Sequence, residues 1–464
     1  MAGESLVLGV PPTVTNLVQQ GLLERAFHDG LFPNLMFRAD ATWEDWGEHS
    51  GTELYMTRRG QLAPVTKPLK AGEDPVPQKL DYEQWVARLD RYGATIDTHM
   101  PTSVVANGDL FLSNVKALGL QAGQSLNRLP RNALYKAYLS GHTLLIAATA
   151  ALDTSIRVAS LNGFTDVVIK GTTVRPAAIS SATPLSITIG ASTVRNAIGF
   201  QPDNPDDPFG PGSLLLSAQV GSIIAIRSPV LSSARPQVIR CGGGASIDAI
   251  GASDTITMQD IIIACNRMRK MNVLPHEDGL YHAHISTDGQ TQFFTDPAFQ
   301  RLTQGNPENA AYQEGFLGKI SGVGFYLNNE TPDSLNSGAL TSTGSLANYA
   351  EDIGAEVVNE SGIRIGRVVV TGRGVMYEKG LDESKFLTEA GVQGKIGEFA
   401  VTNNGVSVAT DRIRLVIRAP QNRTQDEVAA TWTISTSFPI PSDVVSGTPE
   451  RYKRAIVIEH SLDA

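Results

Sequence analysis

The sequence predicts an α+β chain of several domains with an all-β module inserted into it. Three observations predict this. A single long amphipathic helix pattern runs from Asp109 to Leu139, and strand-like runs flank it on both sides. Between about residues 155 and 250, helix signals vanish and short apolar runs alternate with Gly, Pro and Ser. At 464 residues the chain is long enough for two or three cores.

Residues 1–50 read as an N-terminal arm containing one short helix, "TVTNLVQQGLLERAFHDGLF". Thr15 or Asn16 can cap it, and Val18, Leu22, Leu23 and Phe27 form its apolar stripe. Residues 51–100 read as a long β-hairpin. "GTELYMTRRG" and "KLDYEQWVARLDRYGATIDTHM" are its strands, and the proline- and charge-rich "QLAPVTKPLKAGEDPVPQ" is its tip. Trp85, Ala87 and Leu89 alternate with Val86, Arg88 and Asp90, so both faces of the second strand are mixed. A two-stranded ribbon of this kind is marginal in water, and its unpaired edges invite partners. It must lie on another surface: another copy of the chain, or its own domain.

Residues 101–154 carry the helix. Val115, Leu118, Ala122, Leu126, Leu129 and Ala133 recur at steps of three and four, and Pro130 should kink or split the helix there. The inserted all-β domain is expected over 155–250. Helix signals return at "TMQDIIIACNRMRKM" (Thr257 to Met271), where Thr257 and Asp260 make a capping box, within a domain spanning 251–400. Residues 401–464 are again strand-rich.

Composition removes several functions. The net charge is −9, which argues against tight nucleic-acid binding as the main task. No apolar run approaches twenty residues; the longest, "HTLLIAATAAL", is too short to span a bilayer. Cys241 and Cys265 are far apart and form no disulfide framework, so a reducing cytoplasm fits. The start, "MAGESLVLGVPP", lacks the pattern of a signal peptide.

The apparent chemistry is thin. "LPHEDGLYHAHIST" holds His276, His282 and His284, and a His-x-His pair on a strand is a real zinc-ligand geometry. Its spacing matches neither His-Glu-x-x-His nor a Cys/His site, and a turn entering a half-buried strand explains it better. A metal-dependent hydrolase using these three histidines is the rival reading. "QPDNPDDPFGPG" groups Asp203, Asp206 and Asp207, but its prolines deny the register of a calcium loop. "CGGGAS" lacks the Lys-Ser/Thr of a phosphate loop. No catalytic, cofactor-binding or metal residue is assigned, and no cofactor is expected.

Three stretches, in sequence order, resemble the major capsid proteins of tailed bacteriophages, which share the Hong Kong 97-type coat fold. The first is "TKPLKAGEDPVPQKLDYEQWVARLDRYGATIDTHMPTSVV", similar to the family's extended loop. The second is "ACNRMRKMNVLPHEDGLYHAHISTDGQTQFFTDPAFQ", in which Pro275, Asp278, Gly279 and Tyr281 match a P-x-x-D-G-x-Y turn and "DPAF" a downstream segment. The third is "GFLGKISGVGFYLNNE". The inserted β module departs from the plainest coats, although some coat proteins carry one.

The resemblance implies an arm and an extended loop lying across neighbouring subunits. It implies a peripheral domain built on a spine helix (101–154 and 401–464) and an axial domain (251–400). It also implies assembly as hexamers and pentamers into an icosahedral virion shell around double-stranded DNA, in the host bacterial cytoplasm. Scaffolding, portal and decoration proteins are the further partners it allows, with only weak, non-specific DNA contact and no membrane. Lys67, Lys70, Glu73, Asp74, Trp85 and Arg88 are the candidate inter-subunit contacts. The tip charges offer rim pairs of both signs that set register more than affinity, and they read equally as a solvated loop. Some coats crosslink through Lys and Asn; Lys67 or Lys70 are placed for it, but no crosslink is expected here. A cargo-enclosing bacterial nanocompartment shell is the alternative within the same fold.

Overall fold

Alternating burial along the late strands and a three-four stripe along the long helix set the architecture, seen here in a computed structural model. It describes residues 22–31, 36–47, 50–59, 65–70, 72, 74–78, 82–105, 110–169, 173–304, 319–328, 357–382, 394–396, 399–402, 405–410, 412–418, 424, 426–444 and 451–463. From the N-terminus these run helix α1 (Leu22–Leu31) and strands β1 (Ala41–Asp45), β2 (Glu53–Arg59), β3 (Tyr82–Arg88) and β4 (Asp90–His99), then helices α2 (Met100–Val105) and α3 (Leu110–Tyr138). Next come β5 (His142–Leu144), β6 (Ser155–Val158), β7 (Asp166–Ile169), β8 (Thr173–Ala178), β9 (Leu185–Ile189), β10 (Thr193–Pro202), β11 (Gly212–Leu216), β12 (Pro229–Ser232) and β13 (Val238–Arg240). Helix α4 (Met258–Lys270), β14 (Tyr281–Ile285), α5 (Thr287–Thr295), α6 (Pro297–Gln304), β15 (Lys319–Ile320), β16 (Val323–Leu327), β17 (Val357–Val358) and β18 (Arg364–Thr371) follow. The last strands are β19 (Met376–Gly380), β20 (Gly394–Ile396), β21 (Phe399–Thr402), β22 (Gly405–Thr410), β23 (Ile413–Arg418), β24 (Glu427–Ser437) and β25 (Ala455–Ser461). The mixture is α+β, as the sequence predicts.

Two compact units emerge, neither contiguous in sequence: residues 1–54, 86–130 and 376–439, and residues 55–85, 131–375 and 440–464. In the first, the sheet order is β1-β19-β24-β23-β22-β21-β20, and β4 pairs β24 from His99↔Glu427 to Asp90↔Thr436. Alternation on β23 and β24 turns Ile413, Leu415 and Ile417, and Val428, Ala430, Trp432 and Ile434, to one face. Against it pack Leu23, Phe27 and Leu31 of α1 and Phe111, Val115, Leu118, Ala122 and Leu126 of α3. The expected stripe is the helix's buried face as far as Leu126; Leu129 and Ala133 are half-buried, and beyond Pro130 the buried apolar residues are Leu134, Tyr135 and Tyr138. Pro130 does not split α3, which is one helix of 29 residues; only the boundary between the units falls at that proline. The expected cap and first turn of the arm's helix, with Val18, lie outside the described residues.

In the second unit, the path β5-β12-β9-β10-β11-β6 is antiparallel throughout. A Leu145↔Val158 bridge closes it, with Ala159 N–H donating to Leu144 O at 2.9 Å. The inserted module is thus a closed six-stranded barrel filled by residues such as Ile156, Phe164, Leu185, Ile187, Leu214 and Val230. It begins earlier than the expected residue 155, because "HTL", placed by the sequence in the preceding 101–154 domain, is its first strand. It ends earlier too: β13 pairs in parallel with β25, in a different sheet ordered β13-β25-β18-β14-β16-β15. Helix α4 covers that sheet, with Ile261, Ala264 and Met268 on Tyr281, Ala283, Val368 and Ile456. The Thr257–Asp260 capping box is present, and Asp296 accepts from Met258 N at 2.9 Å and Ala298 N at 2.9 Å, capping two helices at once.

The hairpin is shorter than expected. β3 ends at Arg88, and β4, expected to continue it, belongs to the first unit's sheet. β2 and β3 lie in a four-stranded sheet ordered β2-β3-β8-β7, with β3 parallel to β8. The ribbon's root is therefore paired within its own chain.

Close packing of α1 on α3 depends on two glycines one turn apart. A Cβ on Gly119 would sit 2.3 Å from Phe27 O, and one on Gly123 2.5 Å from Leu31 O. Helix propensity alone makes Gly→Ala stabilising by about 1 kcal/mol. Here Gly119→Ala is expected to destabilise by about 1–3 kcal/mol through overpacking, read as a lower urea unfolding midpoint.

Candidate assembly surface

Among the described residues, the hairpin combines a paired base with apolar side chains in water. On β3, Glu83, Trp85 and Ala87 are buried while Tyr82, Val86 and Arg88 are exposed. This corrects the reading of mixed faces, and it removes Trp85, 8% exposed, from the candidate contacts. The reason lies in a partner that no local pattern reveals. Glu83, 1% exposed, hydrogen-bonds the Ser442 hydroxyl and accepts from Asp443 N at 2.8 Å, so a carboxylate can share the inward face.

Asp443 in turn pairs with Arg58 of β2 and with Arg454, whose Nε lies 3.0 Å from Oδ1 and 3.1 Å from Oδ2. Its φ of 58° is in the left-handed region, which Asp tolerates better than most residues. This ionic cluster clamps the root of both hairpin strands to the segment before β25. Burial pushes the Asp443 carboxyl up to about 7, with Arg58 pulling the other way and Glu83 adding to the rise.

Beyond the root the surface changes character. Tyr55, Val65, Leu69 and Val76 are 67, 76, 60 and 85% exposed. Tyr55 lies on β2, and Val65, Leu69 and Val76 lie between β2 and β3, outside any strand. Lys67, Lys70 and Asp74 are exposed among them; Glu73 lies outside the described residues. Arg88 pairs with Glu53 at 3.0 Å as an exposed rung, worth little by itself.

The histidine stretch opens on a turn. His276 N donates to Leu280 O and Gly279 N to His276 O, both at 2.9 Å, with Gly279 at φ 79°. Burial works against the Asp278 carboxylate, but the Leu280 N–H and His282 hold it below the usual range. The structure brings His276 and His282 together, rings stacked 3.9 Å apart and 10° from parallel. His282 Nε2 lies 3.1 Å from Asp278 and His276 Nε2 3.2 Å from Thr371 Oγ1. His284 is buried against Tyr326, apart from that stack. In the acidic loop Asp203 pairs with Arg157, and Lys136 lies 3.8 Å over the Phe209 ring. The loop is a tethered cover of the barrel.

Local signals pointed to the hairpin but missed its clamp. Arg58, Glu83, Asp443 and Arg454 are spread over nearly the whole sequence. A carboxyl whose folded pKa is raised stabilises fully below its unfolded value of 3.8 and loses that contribution as pH climbs to about 7. Asp443→Asn, which keeps the backbone conformation, is therefore expected to flatten the fall in unfolding midpoint between pH 4 and 7.5; denaturant titrations across that window measure it.

No family model matches the chain, and no curated protein matches it. Among solved structures it is similar to the Cyanophage Pam1 capsid asymmetric unit, at 10% identity over 95% of this chain and 92% of that one, with a TM-score of 0.48. It is also similar to the head structure of Helicobacter pylori bacteriophage KHP40, at 9% identity over 92% of each chain and 0.47. A third is the capsid of Ralstonia phage GP4, at 11% identity over 91% of this chain and 90% of that one, and 0.43. With these scores below 0.5 and identities near one residue in ten, the functional reading rests on the chain's own features.

Proposed function

We propose that this chain is a major capsid protein that self-assembles into the icosahedral shell enclosing the double-stranded DNA of a tailed bacteriophage. The observation that carries the reading is the hairpin, whose root is fixed by buried charges while its length offers apolar side chains to water. A monomeric protein gains nothing from that arrangement. A protein that tiles gains an anchor of defined register for the neighbouring copy.

The three ordered stretches that resemble phage coats support the same reading. So does the order of hairpin, β4 and spine helix α3 along the chain. In this reading the subunits form hexamers and pentamers in the virion, assembled in the host cytoplasm, and their role is structural. Many modest contacts repeated around a shell make loss of one subunit improbable, because each release must break several contacts together. A net charge of −9 leaves packaged DNA held only by weak, salt-sensitive contacts. Scaffolding, portal and decoration proteins are partners compatible with it.

Electron microscopy of the purified chain is expected to show closed shells. Replacing Val65, Leu69 and Val76 together by Ser is expected to abolish shells while leaving the unfolding free energy within about 0.5 kcal/mol of the parent, as surface changes do. A parent chain that stays monomeric at high concentration would overturn the reading, and so would shells that form unchanged without the three apolar groups. Reduced, boiled particles should run as a single monomer band, since no covalent crosslink is expected; a ladder would contradict that.

A further inference from the structure

In the first unit, strand β4 is an edge. Among the described residues its one strand partner is β24, which it follows over its whole length from Asp90 to His99. On the second flank, Leu89 N, just before the strand, donates to Thr52 O at 3.0 Å, and from Arg91 onward that flank meets no described strand.

The backbone decides which residues face the second flank. Met100 N donates to Asp426 O at 2.8 Å, one step past the last β4–β24 pair. Antiparallel partners alternate between hydrogen-bonded and non-hydrogen-bonded pairs. The even-numbered residues of β4 therefore bond to β24, and Arg91, Gly93, Thr95 and Asp97 turn their N–H and C=O groups outward. The Leu89 bond obeys the same parity. A row of such groups is a template for another strand.

The side chains specify which strand. Arg91, Gly93, Thr95 and Asp97 are exposed on one face of β4, while Tyr92, Ala94 and Ile96 are half-buried on the other. Across on β24, Arg91 meets Ser435 and Asp97 meets Ala429. Neither charge makes an ion pair with any described residue. They stand three residues before and three residues after Ala94. Charges of one sign on an edge repel a second copy; one of each sign, placed symmetrically about a centre, attracts it.

Parity leaves few registers. A residue that bonds outward pairs only with another that does, so two antiparallel copies of β4 align odd positions with odd. In the register centred on Ala94, Arg91 of each copy faces the other copy's Asp97. On the opposite face Tyr92 then meets Ile96, an aromatic–β-branched pair. The adjacent allowed registers lose this: one sets Arg91 against His99 and Thr95 against itself, the other Arg91 against Thr95.

We propose that β4 pairs antiparallel with β4 of a second copy about a two-fold axis at Ala94, joining the two sheets into one. The contact needs a second copy and no shell, so it is tested separately from the function proposed above.

Ala94→Cys tests the axis. Facing Cα atoms of a non-hydrogen-bonded pair lie about 4.5 Å apart, within the span of a disulfide. Cys241 and Cys265 are buried and do not compete. Mild oxidation of the full chain is expected to give a disulfide-linked dimer on a non-reducing denaturing gel. Thr95→Cys, whose own copy would lie about 7–8 Å away on the diagonal, should remain a single band. Arg91→Asp in the Ala94→Cys chain sets like charges opposite each other. It should raise the protein concentration for half-maximal crosslinking about tenfold, as two exchanged cross-strand pairs require. Adding Asp97→Arg should restore it. The same charge series without the cysteine, followed by sedimentation, gives the answer if Ala94→Cys does not fold. No dimer from Ala94→Cys, a dimer from Thr95→Cys in its place, or no rescue by the swapped charges would each overturn the proposal. Shells that form without the Ala94 crosslink would defeat this contact alone, and crosslinked dimers without shells would keep it while defeating the shell.

Discussion

A carboxylate taken out of water must meet a cation or an N–H donor, and here that requirement fixes where distant pieces of chain come to rest. Glu83 meets Ser442 and Asp443, and Asp443 meets Arg58 and Arg454. Glu459 in the last strand meets Arg367 and Arg240. In the other unit, Arg38 meets Glu378 at 2.8 Å with both side chains buried. The net value of such pairs is small, but removing one partner strands a charge, so they act as address labels. The hairpin's orientation at its root follows from one of these labels, and its capacity to offer a surface follows from that orientation.

Long-range pairing is the common theme of the sheets. β4 meets β24, β1 meets β19 and β13 meets β25, each across hundreds of residues. Such contacts form only after long loops are closed, which slows folding. The barrel is the exception, since its strands all come from one stretch of chain.

This contrast explains what was legible beforehand. The stripe on α3, the Thr257–Asp260 box and the turn at His276–Gly279 are local, and their chemistry is complete within a few residues. The inserted β module was legible for the same reason, though its first strand was not. "HTLLIA" is an apolar run too short for periodicity to separate strand from helix. The buried face of β3 was illegible because a glutamate lies in it, and the groups that satisfy that glutamate stand near residue 440. Likewise, nothing near Arg91 or Thr95 announces that β4 leaves the ribbon for β24. Trp85 looked like a contact residue because its neighbours did not reveal an inward side.

The barrel's closure has a consequence for how this chain could be edited. Its first and last strands are neighbours, Leu231 opposite His142, and Ser232 N–H donates to Gly141 O at 2.9 Å. Entry and exit thus coincide, the geometry of a cassette that could be lifted out and the cut ends rejoined. Yet β7 and β8 lie inside that cassette, and β8 lies beside β3. Excision would leave the ribbon's root with a bare edge, so the module and the ribbon are joined in inheritance: a lineage could not discard one without refitting the other.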